Sequence, residues 1–366
     1  MVTTPAAPAT AVLLALCARA TGHPIQYARL ADVAGQVTSW EGLPAQAEAH
    51  GLAPLLYTHL QAAAIPLPAA IQQELQGYYL QHAHAARVRT AVLGEILRAL
   101  AAAGIDVLVL KGAALAYLVY PQPACRPMRD LDLLVPAADA PRAQALLTGL
   151  GFAPAPAAGQ EPDHHHLAAI QRTAAGQPIS VEVHHRLDLH EPGDPPHPFA
   201  EFAPAAQAFT AGEVATRTLG REALLWHVYR HALCLPLTYE PLRLIWLADL
   251  VSLVEAGAGT LDWAQLRRIA PALVRLLPRL DALSPWTPPV AARLREEAAA
   301  LPPDRTPPPS LPIAIELQRR GDLLADAASQ EAHLRVEVAT ARALLDAQDA
   351  ALGQQRAELE TRAVYI

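Results

Sequence analysis

The run Asp130-Leu131-Asp132-Leu133-Leu134-Val135 sets two carboxylates two residues apart in an otherwise apolar stretch. In a strand, successive side chains alternate faces, so Asp130 and Asp132 point one way while Leu131 and Leu133 point into a core. Two carboxylates side by side repel each other unless a cation sits between them. A fold that keeps this strand therefore needs one face built for charge. A second strand is expected just upstream. Ile105-Asp106-Val107-Leu108-Val109-Leu110 is short, mostly apolar and partly β-branched, as a buried strand requires. Lys111-Gly112 follows, where the pattern changes to a helix over 112–120. Pro121-Gln122-Pro123 and Pro127 mark a loop before the acidic strand. A helix over 139–150, stopped by Gly151, comes next. Residues 166–172 and 179–185 are expected to pair as a hairpin around Ala174-Ala175-Gly176-Gln177, a turn longer than the tightest type.

Helical patterns surround this core. The chain from Ala69 to Ala103 is free of proline and carries Ile71, Leu75, Tyr78, Tyr79 and Leu80 at helical intervals, with Gly104 as its stop. After a Pro-rich connector over 191–204, helices return from Gly220, and 242–255 forms another. The expected architecture is α+β, a small mixed β-sheet core flanked by helical regions. Its expected divisions are a helical region 1–103, the core 104–200, a helical domain 201–300, a Pro-rich linker 301–312 and a long amphipathic helix 313–366. In that last segment Leu317, Leu324, Val338, Leu345, Leu352 and Leu359 fall on a seven-residue grid broken at Glu331, which suits a helix folded back on the body or, alternatively, self-association or docking to a protein partner.

Composition narrows the class. Of 366 residues 52% are hydrophobic and 17% charged, too apolar for a disordered chain. The net charge of −7 gives no basic field to attract nucleic acid. Three widely spaced cysteines, Cys17, Cys125 and Cys234, argue against a disulfide framework and for a reducing cytoplasm. No apolar run is long enough to span a membrane. The apolar run Ala11 to Leu16 lacks a basic region before it and reads as a buried helix rather than a signal peptide.

Lys111 is the single lysine; the other 27 of the 28 basic side chains are arginine, and there is no asparagine. A coding bias that turns replaceable lysines into arginines leaves one where a compact ammonium cannot be exchanged for a planar guanidinium. At a strand-to-helix junction, Lys111 can add a point charge to phosphates and Gly112 can let the backbone approach them. Glu182 lies in Val181-Glu182-Val183-His184, where the valines claim the buried face and leave Glu182 and His184 on the other. Together with Asp130 and Asp132 it can complete a three-carboxylate site for Mg²⁺, of the kind that holds two ions in phosphoryl transfer.

Other residues have plainer readings. His164-His165-His166 lacks the usual Cys/His spacing, and three consecutive histidines in a strand cannot face one point, so it is not read as a zinc site. His227 and His231, four apart on a helix, read as partly buried, and Cys125 has no partner histidine at readable spacing to make it a nucleophile. Arg129 reads as an exposed neighbour of the acids.

Leu110-Lys111-Gly112-Ala113-Ala114-Leu115, Tyr120-Pro121, Arg126-Pro127-Met128, Asp130 to Val135 and Val181-Glu182-Val183-His184 together resemble the largely uncharacterised bacterial nucleotidyltransferase family of the DNA polymerase beta-like nucleotidyltransferase superfamily. In its motifs the resemblance covers about residues 96 to 190. It implies Asp130, Asp132 and Glu182 as metal ligands and catalytic residues, and Gly112 as the phosphate-loop glycine. Arg126 matches a family position and is expected at a phosphate or carboxylate; Lys111 and His184 are expected beside the nucleotide. The chain departs from the wider superfamily in carrying Lys-Gly, farther from the acids, where Gly-Ser or Gly-Gly is usual. The implied activity is Mg²⁺-dependent transfer of a nucleoside monophosphate from an NTP to an acceptor, with release of pyrophosphate. The alternatives are a catalytically silent nucleotide-binding or partner-docking protein on the same fold, and a phosphotransferase moving the γ-phosphate.

Overall fold

The computed structural model describes residues 8–154, 165–187, 197–234 and 243–302. Helices α1 (Ala9–Leu16), α2 (Pro24–Ala34), α3 (Leu43–Ala49) and α4 (Ala53–Ala62) lead into the long α5 (Ala69–Ala102). Leu13, Leu14, Ala15 and Leu16 are buried, as the reading of α1 as a core helix requires. Gly104, at φ +68°, ends α5, and the Ile105 amide bonds back to the Leu100 carbonyl at 3.0 Å. Ile105 is thus still part of the helix cap, which is why strand β1 is only Leu108–Val109 and not the whole of 105–110. The polypeptide continues through α6 (Lys111–Leu118), β2 (Asp130–Leu134), α7 (Ala140–Gly149), β3 (Ala153–Pro154), β4 (Ile170–Ala174) and β5 (Gln177–His184).

These strands form one five-stranded mixed sheet in the order β1-β2-β5-β4-β3. β2 and β5 are parallel, with Asp130 opposite Ser180, Asp132 opposite Glu182 and Leu134 opposite His184. Parallel neighbours need a crossover, and α7 supplies the helical part of it. β4 and β5 pair antiparallel as far as Ala174 with Gln177, so the turn is just Ala175-Gly176. Their φ values of +44° and +76° are both positive, the geometry that a two-residue hairpin with native twist demands. The hairpin is therefore tighter than the sequence suggested.

One sheet face packs on α5 and α7. Val92, Leu93, Ile96, Leu97 and Leu100 of α5 and Ala143 and Leu147 of α7 share a buried cluster with Leu131, Leu133, Val181 and Val183. The downstream chain holds β6 (Arg186–Leu187), paired with β7 (His197–Pro198), then α8 (Phe199–Phe202) and a second hairpin, β8 (Gln207–Ala211) with β9 (Val214–Thr218). That hairpin stands at the head of the region expected to be helical. Its Ala211 joins the same core, with Phe209 and Val214 packed against it. Helices α9 (Arg221–Tyr229), α10 (Leu244–Gly257), α11 (Trp263–Ile269), α12 (Pro271–Leu276) and α13 (Pro288–Ala299) complete the described chain. A π-helical turn, Arg230–Cys234, extends α9. Most of the Pro-rich linker and the seven-residue grid of 313–366 lie outside the described residues.

Candidate active site

The parallel register sets Asp132 directly beside Glu182, and His184 follows two residues later on the same face of β5. The His184 Nε2–H donates to Asp132 Oδ1 at 2.9 Å and lies 3.5 Å from Glu182 Oε2. Lys111 reaches the same Asp132 oxygen with its Nζ, at 3.3 Å. It arrives from the next strand: the Leu110 amide bonds to the Asp132 carbonyl at 2.9 Å, so Lys111 leaves the ladder right beside the acid. Its backbone φ is +42°. That region costs an L-residue roughly 1–2 kcal/mol, which surrounding contacts must hold in place. Asp130 is half-buried at the start of β2, on the same face as Asp132.

Burial and crowding set the charges here. Burial pushes the Asp130 carboxyl up to about 6, and the negative Asp132 beside it pushes the same way. Burial alone would also raise Asp132, but the Lys111 ammonium and the His184 bond overcome it and hold that carboxyl well below the usual range. Burial opposes the charge on Lys111, yet Asp132, Asp130 and Glu182 prevail and raise its pKa. His184 is likewise raised, its hydrogen bonds to Asp132 and Glu182 outweighing burial. On the α9 side burial and then the Lys111 cation depress two imidazoles, His227 well below its usual value and His231 to about 3.

A second buried cluster adjoins the first. Arg126 grips Asp249 of α10 through Nε to Oδ1 and Nη2 to Oδ2, both at 2.7 Å, and its Nη1 donates to the Pro127 carbonyl at 2.6 Å. The Tyr120 hydroxyl donates to the same Asp249 Oδ1 at 2.7 Å. A Cβ on Gly112 would lie 2.9 Å from Arg126 Nη1, so this glycine makes room for a guanidinium already fixed in place. Both clusters border a cavity of about 210 Å³, with Lys111, Gly112, Asp130 and Asp132 on one side and His231, Arg243 and Trp246 on the other. Arg126, Met128 and Arg129 also line it.

The structure thus places Lys111 and His184 on Asp132 and Glu182 beside His184, with Asp130 next along the strand, and ties Arg126 to Asp249. Two histidines of the 164–166 run come close as well. The His165 and His184 rings stack at 5.4 Å between centroids, and His166 Nε2 lies 3.9 Å from Glu182 Oε2. The side chains of a continuous strand would have kept them on opposite faces, but here the chain meets β5 only through the isolated bridge of His166 to His184. Asp249 and His231 escaped the sequence reading as neighbours of the acids. The hints were the spacing of His227 and His231 and the likeness of the stretch around Trp226, His231, Trp246 and Asp249 to the helical part of the family. Cys125 is buried and its thiol is pushed up to about 11, which keeps it protonated and a poor nucleophile.

The donor set suits a divalent cation. Ligand atoms of Asp132, Glu182 and His184 all lie within 4.8 Å of one another. Carboxylates suit hard divalent ions and an imidazole nitrogen suits transition metals.

No curated protein matches the chain. Among solved structures, a crystal structure of ANT(2'')-Ia in complex with adenylyl-2''-tobramycin is 16% identical, with a TM-score of 0.35, covering 50% of this chain and 96% of that one. A solution structure of the antibiotic-resistance factor ANT(2'')-Ia is 15% identical, with a TM-score of 0.33, covering 58% and 94%. The family model for uncharacterised nucleotidyltransferases matches residues 36–277, a span that holds the acidic strand pair, the Lys111 junction and the helix bearing Asp249. With that match over most of its length, the chain belongs to the uncharacterised nucleotidyltransferase family.

Proposed function

We propose that this protein transfers a nucleoside monophosphate from an NTP to a hydroxyl-bearing acceptor and releases pyrophosphate. The observation that carries this reading is the register of Asp132 opposite Glu182, with Lys111 closing on the same carboxylate. Asp130, Asp132 and Glu182 would hold two Mg²⁺, which when bound neutralise phosphate charge and make the acceptor hydroxyl more acidic. The chain's own residues do the rest. Lys111, kept protonated by the acids, pairs with the triphosphate. The start of α6 carries no side-chain cap, so its amides are available to phosphate oxygens beside Gly112. Arg126 lines the cavity from behind Gly112, and His184 holds Asp132 in position. The acceptor oxygen bonds to the α-phosphorus, the bridging P–O bond to the β-phosphate breaks, and the acceptor proton passes to Glu182. Among the described residues no helix is long and apolar enough to cross a membrane.

The test is incubation with α-³²P-labelled NTPs, Mg²⁺ and candidate acceptors. Label should move to the acceptor with release of pyrophosphate, and Asp132→Asn should abolish the transfer. Release of a nucleoside diphosphate instead would point to γ-phosphate transfer. Nucleotide binding with no product from any acceptor would favour the silent alternative.

A further inference from the structure

The carboxylates of the site do not stand in equivalent surroundings. Asp130 lies opposite Ser180 at the half-buried end of β2, two residues before Asp132 and so roughly 6–7 Å farther from His184 along the strand. Asp132 and Glu182 have an imidazole between them instead. The His184 Nε2 stands 2.9 Å from Asp132 Oδ1 and 3.5 Å from Glu182 Oε2. Atoms that share one ion at ~2.1 Å are spaced about 3.0–3.5 Å apart, which the two separations from His184 match, and the three ligand atoms all lie within 4.8 Å of one another. His184 Nδ1 is buried with no hydrogen-bond partner among the described residues, so Nε2 is the ring nitrogen through which this side chain works.

We propose that His184 is an inner ligand, and that Asp132, Glu182 and His184 form a preassembled position that takes Mn²⁺ in preference to Mg²⁺ and fills before nucleotide arrives. Mg²⁺ favours oxygen ligands, whereas imidazole nitrogen suits later divalent ions. A second ion beside Asp130 would find only carboxylate oxygen there, and phosphate oxygens would have to supply its other ligands. Lys111, 3.3 Å from the same Asp132 oxygen, would share that carboxylate with a bound ion. This assignment rests on the reading of the site as a metal-dependent transfer centre, and it adds a ligand and a metal preference to that reading.

The experiment uses the full-length protein, stripped with chelator and free of nucleotide, with Mn²⁺ alone as the probe. Titration followed by the EPR signal of free Mn²⁺ should show a bound ion. Pulsed EPR of that ion should show coupling to ¹⁴N, and an equal concentration of Mg²⁺ should fail to displace it. His184→Gln should remove the ¹⁴N coupling and weaken Mn²⁺ binding about tenfold or more, since losing even an outer partner of a metal ligand costs ~10–100-fold. Absence of Mn²⁺ binding without nucleotide, a bound ion with no ¹⁴N coupling, or ready displacement by Mg²⁺ would each overturn the proposal. Should the variant fail to fold, the wild-type spectrum and the Mg²⁺ competition decide alone. Label transfer observed alongside any of the overturning results retires the metal preference and leaves the transfer reading intact. Strong ¹⁴N coupling without transfer to any acceptor does the reverse.

Discussion

Two buried ionic clusters meet at the start of α6, and they are built differently. Arg126 and Asp249 are joined by two parallel bonds of 2.7 Å, with Tyr120 and the Pro127 carbonyl completing the set. Lys111 meets Asp132 at 3.3 Å, on a carboxylate oxygen shared with His184, with further acids crowded around it. A bidentate arginine pair with its remaining groups bonded is a closed arrangement that fixes geometry. The lysine cluster has more negative groups than its ammonium can neutralise, and a backbone at φ +42° holds that ammonium there. The difference separates a joint from a site. The first ties the loop before β2 to helix α10, while the second leaves carboxylates in excess of its one ammonium, as the proposed function needs.

Breaking the joint should have the largest effect. Asp249→Ala leaves a buried guanidinium unpaired and should cost about 3–5 kcal/mol in urea unfolding. Asp132→Asn should act the other way round. It should lower transfer by roughly 100-fold or more, as loss of a group that stabilises transition-state charge does, while melting near the wild-type temperature. Equal destabilisation by the two variants would erase the distinction drawn here. Gly112→Ala tests the seam between the clusters. The new methyl meets the fixed Arg126 and should cost about 1–3 kcal/mol, and the same substitution should add almost nothing to an Arg126→Ala chain, itself already destabilised by loss of the Asp249 pair. A further effect concerns pH. His231, in the open cluster, is held neutral down to about 3 by burial and by Lys111. Its folded pKa lies below its unfolded one, so the unfolded chain binds more protons between about pH 6.5 and 3 and stability falls as the pH drops through that window. The contribution is up to ~1.4 kcal/mol per pH unit. His231→Gln should flatten the acid limb of a stability–pH curve by up to that slope.

Much of the site was legible because its signals are local. The alternation of Asp130-Leu131-Asp132-Leu133 and of Val181-Glu182-Val183-His184 depends only on side-chain parity in a strand. The lone lysine marked its own position through composition. The pairing of Arg126 with Asp249 was not legible, since it joins residues 123 positions apart that carry no shared pattern. Nor was the backbone of Lys111, because no glycine announces that positive φ. The β8–β9 hairpin escaped for another reason. Gln207-Ala208-Phe209-Thr210-Ala211 is short and alanine-rich, too weakly alternating to stand out among helices.

The acids that face one another across β2 and β5 are 50 residues apart in the chain, and they meet only after a complete crossover. On the ribosome, the aspartates emerge well before their glutamate and histidine counterparts. A nascent polypeptide that has delivered Asp132 but not Glu182 and His184 lacks the partners that would hold a cation with it. On the proposed function, ion capture would wait for this non-local strand pairing, which is among the slower steps of folding. Cation uptake by a refolding chain would then report the moment the parallel strands lock together.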